Sequence, residues 1–314
     1  MSSTTGGTAV RPAWHELPGE LRDGLGHLLG DIVSAHVQTG GFTPGLAVRL
    51  TIRTGEKTFV KGIPTGHILA ARYRTEAQVA HALPDRAPAP RLRWYGQLAG
   101  WEVLAFDDLD GRHPDLSPHS PDIPRVVETV ASLAEALTPC PLPDAPPAAA
   151  ELGGFVHGWR ALAAAPPADL DAWPRENLNR LADLETHWLD VADGDTLLHG
   201  DVNRANLLVN PAGVWLVDWA QPVRGAPWID VADLVPHLIL AGHTPADAEQ
   251  VLARVPTWHG TDPDTLTSYA VVFAGYWTRM SRSPAPPGVP NLRPYQARAA
   301  HAAIRWIAHR TAWT

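Results

Sequence analysis

Between residues 12 and 37 the apolar side chains Leu17, Leu21, Leu25, Leu28, Leu29, Ile32 and Val33 recur at helical spacing, which predicts one amphipathic helix over this stretch. The period then shortens. Residues 46–53 and 57–62 read as two strands joined through Thr54-Gly55-Glu56, and Thr39-Gly-Gly-Phe-Thr-Pro-Gly45 precedes the first of them. A second helical pattern covers 70–83, with Ala77, Val79, Ala80 and Leu83 facing inward and Pro84 ending it. After a loop from Pro84 to Pro90, residues 91–96 and 101–106 read as two more strands.

The remainder is mainly helical in pattern. Helices are predicted near 125–138, 149–164, 174–191, 230–241, 245–254, 264–281 and 294–311. The proline-rich stretches 114–124, 139–147 and 283–294 read as loops, because proline cannot sit in a regular helical or strand interior. One short segment breaks the helical trend. Leu207 to Val209 and Val214 to Val217 form strand text around the turn Asn210-Pro-Ala-Gly213, which predicts a hairpin.

Composition narrows the class. The chain has 314 residues, enough for one large domain or two lobes, and 45% of them are hydrophobic, enough for a full core. A net charge of −8 disfavours a nucleic-acid-binding surface. The single cysteine, Cys140, excludes an intrachain disulfide framework. Met1-Ser-Ser-Thr-Thr-Gly-Gly carries no basic, apolar leader, and no apolar run approaches membrane-spanning length. The expectation is a cytoplasmic protein with neither nucleic acid nor membrane as partner. The histidines lack metal-ligand spacing, so no zinc site is expected.

The predicted hairpin carries the chemistry. His199-Gly200-Asp201-Val202-Asn203-Arg204-Ala205-Asn206 precedes it and Asp218-Trp219 follows it, so antiparallel return brings Asp218 back beside Asn206. A carboxylate and an amide oxygen converging there can hold Mg²⁺ through hard oxygen ligands. Asp201, on the loop before Asn206, can face a hydroxyl nucleophile. A base, two metal ligands and room for a nucleotide are what phosphoryl transfer needs. Only two of the 25 basic residues are lysines, Lys57 and Lys61. Lys61 closes the strand Thr58-Phe59-Val60-Lys61, from which an ammonium can reach phosphates as a point charge. Glu76, on the predicted helix 70–83, is placed to pair with it, and the segment 39–45 can lie over phosphates as a flap.

This text resembles the aminoglycoside phosphotransferase and choline kinase group of kinase-like small-molecule phosphotransferases. Their usual pattern is His-Gly-Asp-x-x-x-x-Asn, an apolar strand, then Asp-Trp or Asp-Phe. Protein kinases place Arg where Gly200 stands, which favours a small-molecule kinase. The loop interior Asn203-Arg204-Ala205 departs from the family's frequent His-Pro-Gly while keeping the spacing. The resemblance covers roughly residues 40–240, with the last seventy similar only in helix content.

The resemblance implies an α+β, two-lobed protein-kinase-like fold, with a small antiparallel-sheet lobe over 1–106 and a mainly helical lobe over 107–314. It implies ATP or GTP as donor, Mg²⁺ as cofactor and a small hydroxylated acceptor as partner. By position it makes Asp201 the catalytic aspartate and Asn206 and Asp218 the metal ligands. Lys61 and Glu76 become the phosphate-orienting ion pair. Backbone groups at Ala105, Phe106 and Asp107 become the adenine-contacting hinge. Asp230 would hydrogen-bond the catalytic-loop backbone, and His199 would support that loop structurally. For the acceptor site, Asp107, Asp108, Asp110, Glu151, Asp262 and Asp264 are candidate acids, and Trp159, Trp219, Trp228 and Trp277 candidate stacking rings. An antibiotic such as an aminoglycoside is one acceptor expected. An amino alcohol, sugar or nucleoside is the alternative, and a non-catalytic nucleotide-binding protein on the same fold is the rival of another class.

Overall fold

The computed structural model describes residues 9–313, so the reading of Met1 to Gly7 lies outside the described residues. The smaller lobe is α1 (Gly19–Leu29), β1 (Ile32–Val37), β2 (Leu46–Ile52), β3 (Lys57–Pro64), α2 (Ala70–Ala82), β4 (Leu92–Leu98) and β5 (Trp101–Asp107). Its five strands form one antiparallel sheet in the order β1-β2-β3-β5-β4.

The long helix expected over 12–37 is corrected here. Its helical part is α1, after a single 3₁₀ turn at Trp14–Glu16, while Ile32 and Val33 belong to β1. Gly30, at φ +108, ends the helix in a conformation that L side chains rarely adopt. The β-branched pair that follows enters the sheet, where Val37 pairs with Val48.

Strand alternation divides the sheet into two faces. Leu46, Val48, Leu50, Val60, Val103 and Ala105 pack with Leu17, Leu21 and Leu25 on the α1 side. Phe59, Ile63, Leu104 and Phe106 pack with Ala70, Tyr73 and Ala77 of α2 on the other. Lys61 shares the parity of Phe59 and Ile63, so the same alternation delivers it to the α2 face.

The larger lobe contains α3 (Asp122–Ala136), α4 (Ala148–Leu152), α5 (Gly158–Ala164), α6 (Ala172–Glu176), α7 (Leu178–Leu184), β6 (Thr196–Leu198), β7 (Leu207–Asn210), β8 (Gly213–Leu216) and β9 (Val223–Gly225). It ends with α8 (Trp228–Ala232), α9 (Leu234–Leu240), α10 (Pro245–Leu252), α11 (Pro256–His259), α12 (Pro263–Met280) and α13 (Leu292–Thr311). Four expected helices differ, one of them 230–241, which starts at Trp228 and divides at Asp233 into α8 and α9. The one near 125 starts earlier, at Asp122, because Pro124 falls in the first turn, where backbone N–H groups have no helical acceptor anyway. The stretch 149–164 splits at Gly153-Gly154 and at His157, whose φ is +87. The stretch 174–191 splits into α6, α7 and a 3₁₀ turn at His187–Val191. The short pair β6 and β9 escaped the sequence reading, since three residues carry no period. No helix among the described residues is long and apolar enough to cross a membrane.

The core of this lobe closes around tryptophans. Trp159, Trp188 and Trp306 are essentially inaccessible. The Trp159 indole N–H donates to the Val271 carbonyl at 2.7 Å, and its ring fills the space a side chain at Gly275 would need. Beside it α5 and α12 touch backbone to backbone: a Cβ on Gly158 would lie 2.3 Å from the Gly275 carbonyl carbon. Gly158→Ala is therefore expected to force these helices apart and to destabilise the protein by about 1–3 kcal/mol, read as a lower urea midpoint. An unchanged midpoint would show that the helices do not cross this closely.

Candidate active site

Each functional side chain is placed by a backbone constraint. β6 runs into the loop at His199, and β9 returns beside it through the Leu198–Val223 pairing. The buried Asp230 carboxylate, in the first turns of α8, accepts the His199 N–H at 2.8 Å and the Gly200 N–H at 3.0 Å. Asp230 thus bonds the backbone of the loop just ahead of Asp201. Burial raises the Asp230 carboxyl, opposed by His199 and by the two amides. Gly200 sits at φ +73, and a Cβ there would lie 2.5 Å from the Gln221 carbonyl oxygen, so no larger residue fits this turn.

His199 is completely buried and ties two loops together. Its Nε2 lies 3.0 Å from the Val217 carbonyl oxygen, and its ring meets Trp219 edge-on at 4.7 Å. The hairpin forms as expected, with Leu207 opposite Leu216 and Asn210 opposite Gly213. The Val217 N–H donates to the Asn206 carbonyl at 2.9 Å, which sets Asp218 beside Asn206. Asp218 itself has φ +68, a left-handed conformation that is strained for a side-chain-bearing residue.

Asp201 is gripped by two amides. Asn203 Nδ2 donates to its Oδ1 at 2.8 Å and Asn206 Nδ2 to its Oδ2 at 3.0 Å. Because the Asn206 nitrogen is committed to Asp201, its Oδ1 is left as a free acceptor. Burial pushes the Asp201 carboxyl up to about 6, against the pull of His199 and the two amides.

The lobes meet at Lys61. Its ammonium donates to Glu76 Oε2 at 2.7 Å and Oε1 at 2.9 Å, and to Asp218 Oδ1 at 2.7 Å. Glu76 is 4% exposed at its side chain, Lys61 14% and Asp218 39%, so the last faces the open cleft. Burial opposes the Lys61 charge, but Asp218 and Glu76 outweigh it and hold the lysine protonated. Burial raises the Glu76 carboxyl to about 7, against the pull of Lys61. For Asp218 the attraction of Lys61 exceeds the cost of burial and lowers its carboxyl.

The backbone expected to contact the base is engaged in the sheet. Ala105 and Phe106 lie inside β5 with partners on both sides, Val60 and Trp94 for the first, Phe59 and Leu92 for the second. The sheet engages their backbone groups. The Asp107 N–H likewise donates to the Arg91 carbonyl at 2.9 Å. The chain leaves the sheet only after Asp107, so Asp108 and Leu109 are the first residues with backbone free of strand pairing. Asp107 and Asp108 are themselves paired by side chain, to Arg93 and Arg49 respectively.

The expected acceptor lining is not assembled in one place. Trp159, Trp219, Trp228 and Trp277 are all at most 8% exposed and pack in the core. Asp262 caps α12, accepting the Thr265 N–H at 3.1 Å, and Asp264 stands in its first turn. Tyr276, near the other end of the same helix, lies about 18 Å along its axis from Asp264. It is Tyr276 and Tyr295 that lie within range of Asp201: burial raises both phenols, and the Asp201 charge adds to it. Arg293 and Arg72 act on Tyr276 in the opposite direction, and Arg298 on Tyr295.

Two further groups escaped the sequence reading. Buried Asp233 accepts the Val202 N–H at 3.4 Å and the Tyr269 hydroxyl at 2.7 Å, giving the loop of Asp201 a second anchor one helical turn after Asp230. That three-residue spacing was a usable signal. Arg11, beside Pro12 in an aperiodic segment, offered none.

The wider comparisons agree with this geometry. Residues 45–269 match the sequence model of a phosphotransferase enzyme family. Among solved structures, an aminoglycoside phosphotransferase from Alicyclobacillus acidocaldarius superposes with a TM-score of 0.61 at 14% identity, covering 89% of this chain and 91% of the other. The choline kinase LicA from Streptococcus pneumoniae gives 0.61 at 15% identity, over 90% and 97%. A spectinomycin phosphotransferase in complex with ADP and spectinomycin gives 0.57 at 12% identity, over 89% and 92%. No curated protein matches the chain in sequence. At these identities the superpositions establish the two-lobed α+β kinase-like fold, and the family match, spanning most of the chain, establishes the rest: the protein belongs to the phosphotransferase enzyme family.

Proposed function

We propose that the chain transfers the γ-phosphoryl group of ATP or GTP to a hydroxyl of a small molecule. The observation that carries this reading is the convergence of Lys61, paired to Glu76 and Asp218, with Asp201, gripped by Asn206, at the junction of the lobes. Lys61 is held charged and aimed at the cleft, where it meets the α- and β-phosphates. Phe59, two positions earlier on the same face and only partly buried, offers its ring to the base. The base edge meets the backbone of Asp108 and Leu109. We place the lobe boundary here, with 1–106 binding nucleotide and 107–314 carrying the catalytic loop and the acceptor.

Asn206 Oδ1 and the Asp218 carboxylate are hard oxygen donors that fit Mg²⁺ and would hold it, and the ion would supply charge neutralisation for the phosphates. Asp201 accepts a hydrogen bond from the acceptor hydroxyl and then its proton. The acceptor oxygen forms its bond to the γ-phosphorus as the bond to the bridging oxygen breaks, and the nucleoside diphosphate departs. A carboxyl near 6 is mostly ionised at neutral pH yet basic enough to take that proton. Asp230, His199 and Asp233 fix the loop that carries it.

The groups around Asp201 favour a neutral or anionic alcohol over a polycationic aminoglycoside. The Asp201 charge acts on Tyr276 and Tyr295, on which arginines act in the opposite direction, while of the acids expected to line a cation site Asp107, Asp108 and Asp110 lie beside arginines and Asp262 caps a helix. A hydroxylated metabolite or a non-basic antibiotic fits this surface.

The test is nucleotide consumption with ATP and GTP plus Mg²⁺ across aminoglycosides, other hydroxylated antibiotics, amino alcohols, sugars, hydroxy acids and nucleosides. Acceptor-dependent turnover is expected, falling to background in Asp201→Ala and Asp218→Ala. Nucleotide binding without turnover for any acceptor would favour a sensor, and near-normal transfer by Asp201→Ala would remove its role. A second prediction concerns stability. A carboxyl whose folded value is raised costs the folded state above that value and costs nothing once pH falls below the unfolded value. Asp201→Asn should thus stabilise by on the order of 2 kcal/mol at pH 7.5. In a thermal melt this is a rise of about 2–4 °C that fades by pH 4, and its absence would mean Asp201 is not strained by burial.

A further inference from the structure

Arg11 reaches the lobe junction, beside the Val10 N–H that donates to the Gly288 carbonyl at 2.7 Å, and has no carboxylate partner among the described residues. Its Nη1 donates to the Gln38 carbonyl at 2.7 Å and the Gly40 carbonyl at 2.5 Å, and its Nη2 to the Thr43 carbonyl at 3.1 Å. These are the carbonyls of the glycine-containing flap before β2. The neighbouring backbone joins in: the Ala9 N–H donates to the Gly41 carbonyl at 3.1 Å. Arg11 Nε is buried and has no hydrogen-bond partner. Burial lowers the guanidinium, and the charge of Asp218 is among the few influences that sustain it.

The flap it holds lies against the phosphate-binding strand. A Cβ on Gly45 would come within 2.6 Å of the Gly62 carbonyl and 3.1 Å of the Tyr73 hydroxyl. The Tyr73 ring in turn lies 5.6 Å from Lys61 Nζ. Arg11, flap, Tyr73 and Lys61 therefore form one continuous array ending at Asp218. Neutral carbonyls satisfy hydrogen bonds but do not balance a desolvated positive charge, and leaving such a charge unpaired is costly. Asp218 does not complete the balance, because Lys61 already bridges it to Glu76. An anion delivered between flap and cleft would supply what the protein does not.

We propose that Arg11 is a phosphate-binding residue: it folds the flap around its Nη atoms and presents its remaining donors to the terminal phosphates of the nucleotide. The segment before α1 would thereby form part of the donor site, opposite Lys61. This rests on the kinase reading above and adds a second cation to it. Arginine suits the task, since its planar fork can bind carbonyls on one edge and phosphate oxygens on another.

The experiment is calorimetric titration of the intact protein with ATP, ADP and AMP in Mg²⁺, for wild type, Arg11→Met and Arg11→Lys. For Arg11→Met, ATP affinity is expected to fall about tenfold or more, the equivalent of one charge-assisted hydrogen bond. AMP affinity should stay within twofold, which also shows that the variant is folded. Arg11→Lys should recover most of the loss for ATP, because it restores the charge without the fork to the flap. Three results would overturn the proposal: unchanged ATP affinity in Arg11→Met, equal loss for ATP and AMP, or Arg11→Lys as weak as Arg11→Met, the mark of a purely structural clasp. If wild type binds no nucleotide, the kinase reading itself fails, an outcome separate from all three.

Discussion

A single ammonium joins the two halves of this molecule. Lys61 enters from a strand of the small lobe and finds one carboxylate on α2 and another at the end of the hairpin in the large lobe. A desolvated lysine is unfavourable unless paired, and a desolvated glutamate equally so. The charges therefore specify each other's positions more than they add stability. Shifting β3 by one residue would turn Lys61 to the α1 face, into Leu21 and Leu25, and leave Glu76 alone on its helix. Register, helix docking and lobe closure are all subject to this one requirement.

The large-lobe partner is held just as tightly. Asp218 is where it is because Val217 is bonded to Asn206 through the backbone and to the buried His199 ring through its carbonyl. His199 is where it is because Asp230 binds its amide. One carboxylate in a short helix thus positions the loop of Asp201, and one imidazole transmits that position to Asp218. The tight turn at Gly200 belongs to the same arrangement: the Gln221 carbonyl occupies the space into which a larger side chain would grow. The absence of arginine at this position, one sign distinguishing small-molecule kinases in sequence, has a steric counterpart in the fold.

What was legible in the sequence follows from how locally each feature is encoded. The hairpin, its turn, and the return of Asp218 to Asn206 depend on twenty consecutive residues with alternating strands and a proline-glycine turn, and they form as read. Lys61 and Glu76 are fifteen residues apart, yet strand parity and helical phase suffice to pair them. The failures are features set by distant chain. Leucines continue the helical period through Ile32 and Val33, but pairing with β2 decides their fate. Ala105 and Phe106, expected to offer backbone to the base, are paired on both sides, because how far a strand stays in a sheet depends on where both neighbours end. The tryptophans were ambiguous for the same reason: indole rings suit a ligand platform or a core, and only packing of α5 against α12 commits Trp159 to the core.

The electrostatics of the cleft explain why it is arranged for a ligand of mixed charge. Asp201, Asp218, Asp230 and Asp233 act on one another through space, and burial raises three of the four carboxyls. Against them stand Lys61, already shared between two carboxylates, and Arg11, already engaged with flap carbonyls. Lys61 pairs with Asp218 across the junction, while Asp201, Asp230 and Asp233 form no ion pair among the described residues. On the function proposed above, a polyphosphate carrying a divalent cation would have the complementary arrangement, with its oxygens toward the guanidinium and ammonium and its metal toward Asn206 and Asp218. Buried carboxylates without an ion partner make the cleft less stable than a neutral one of the same shape would be, and on the proposed function a bound nucleotide with its metal would relieve that deficit.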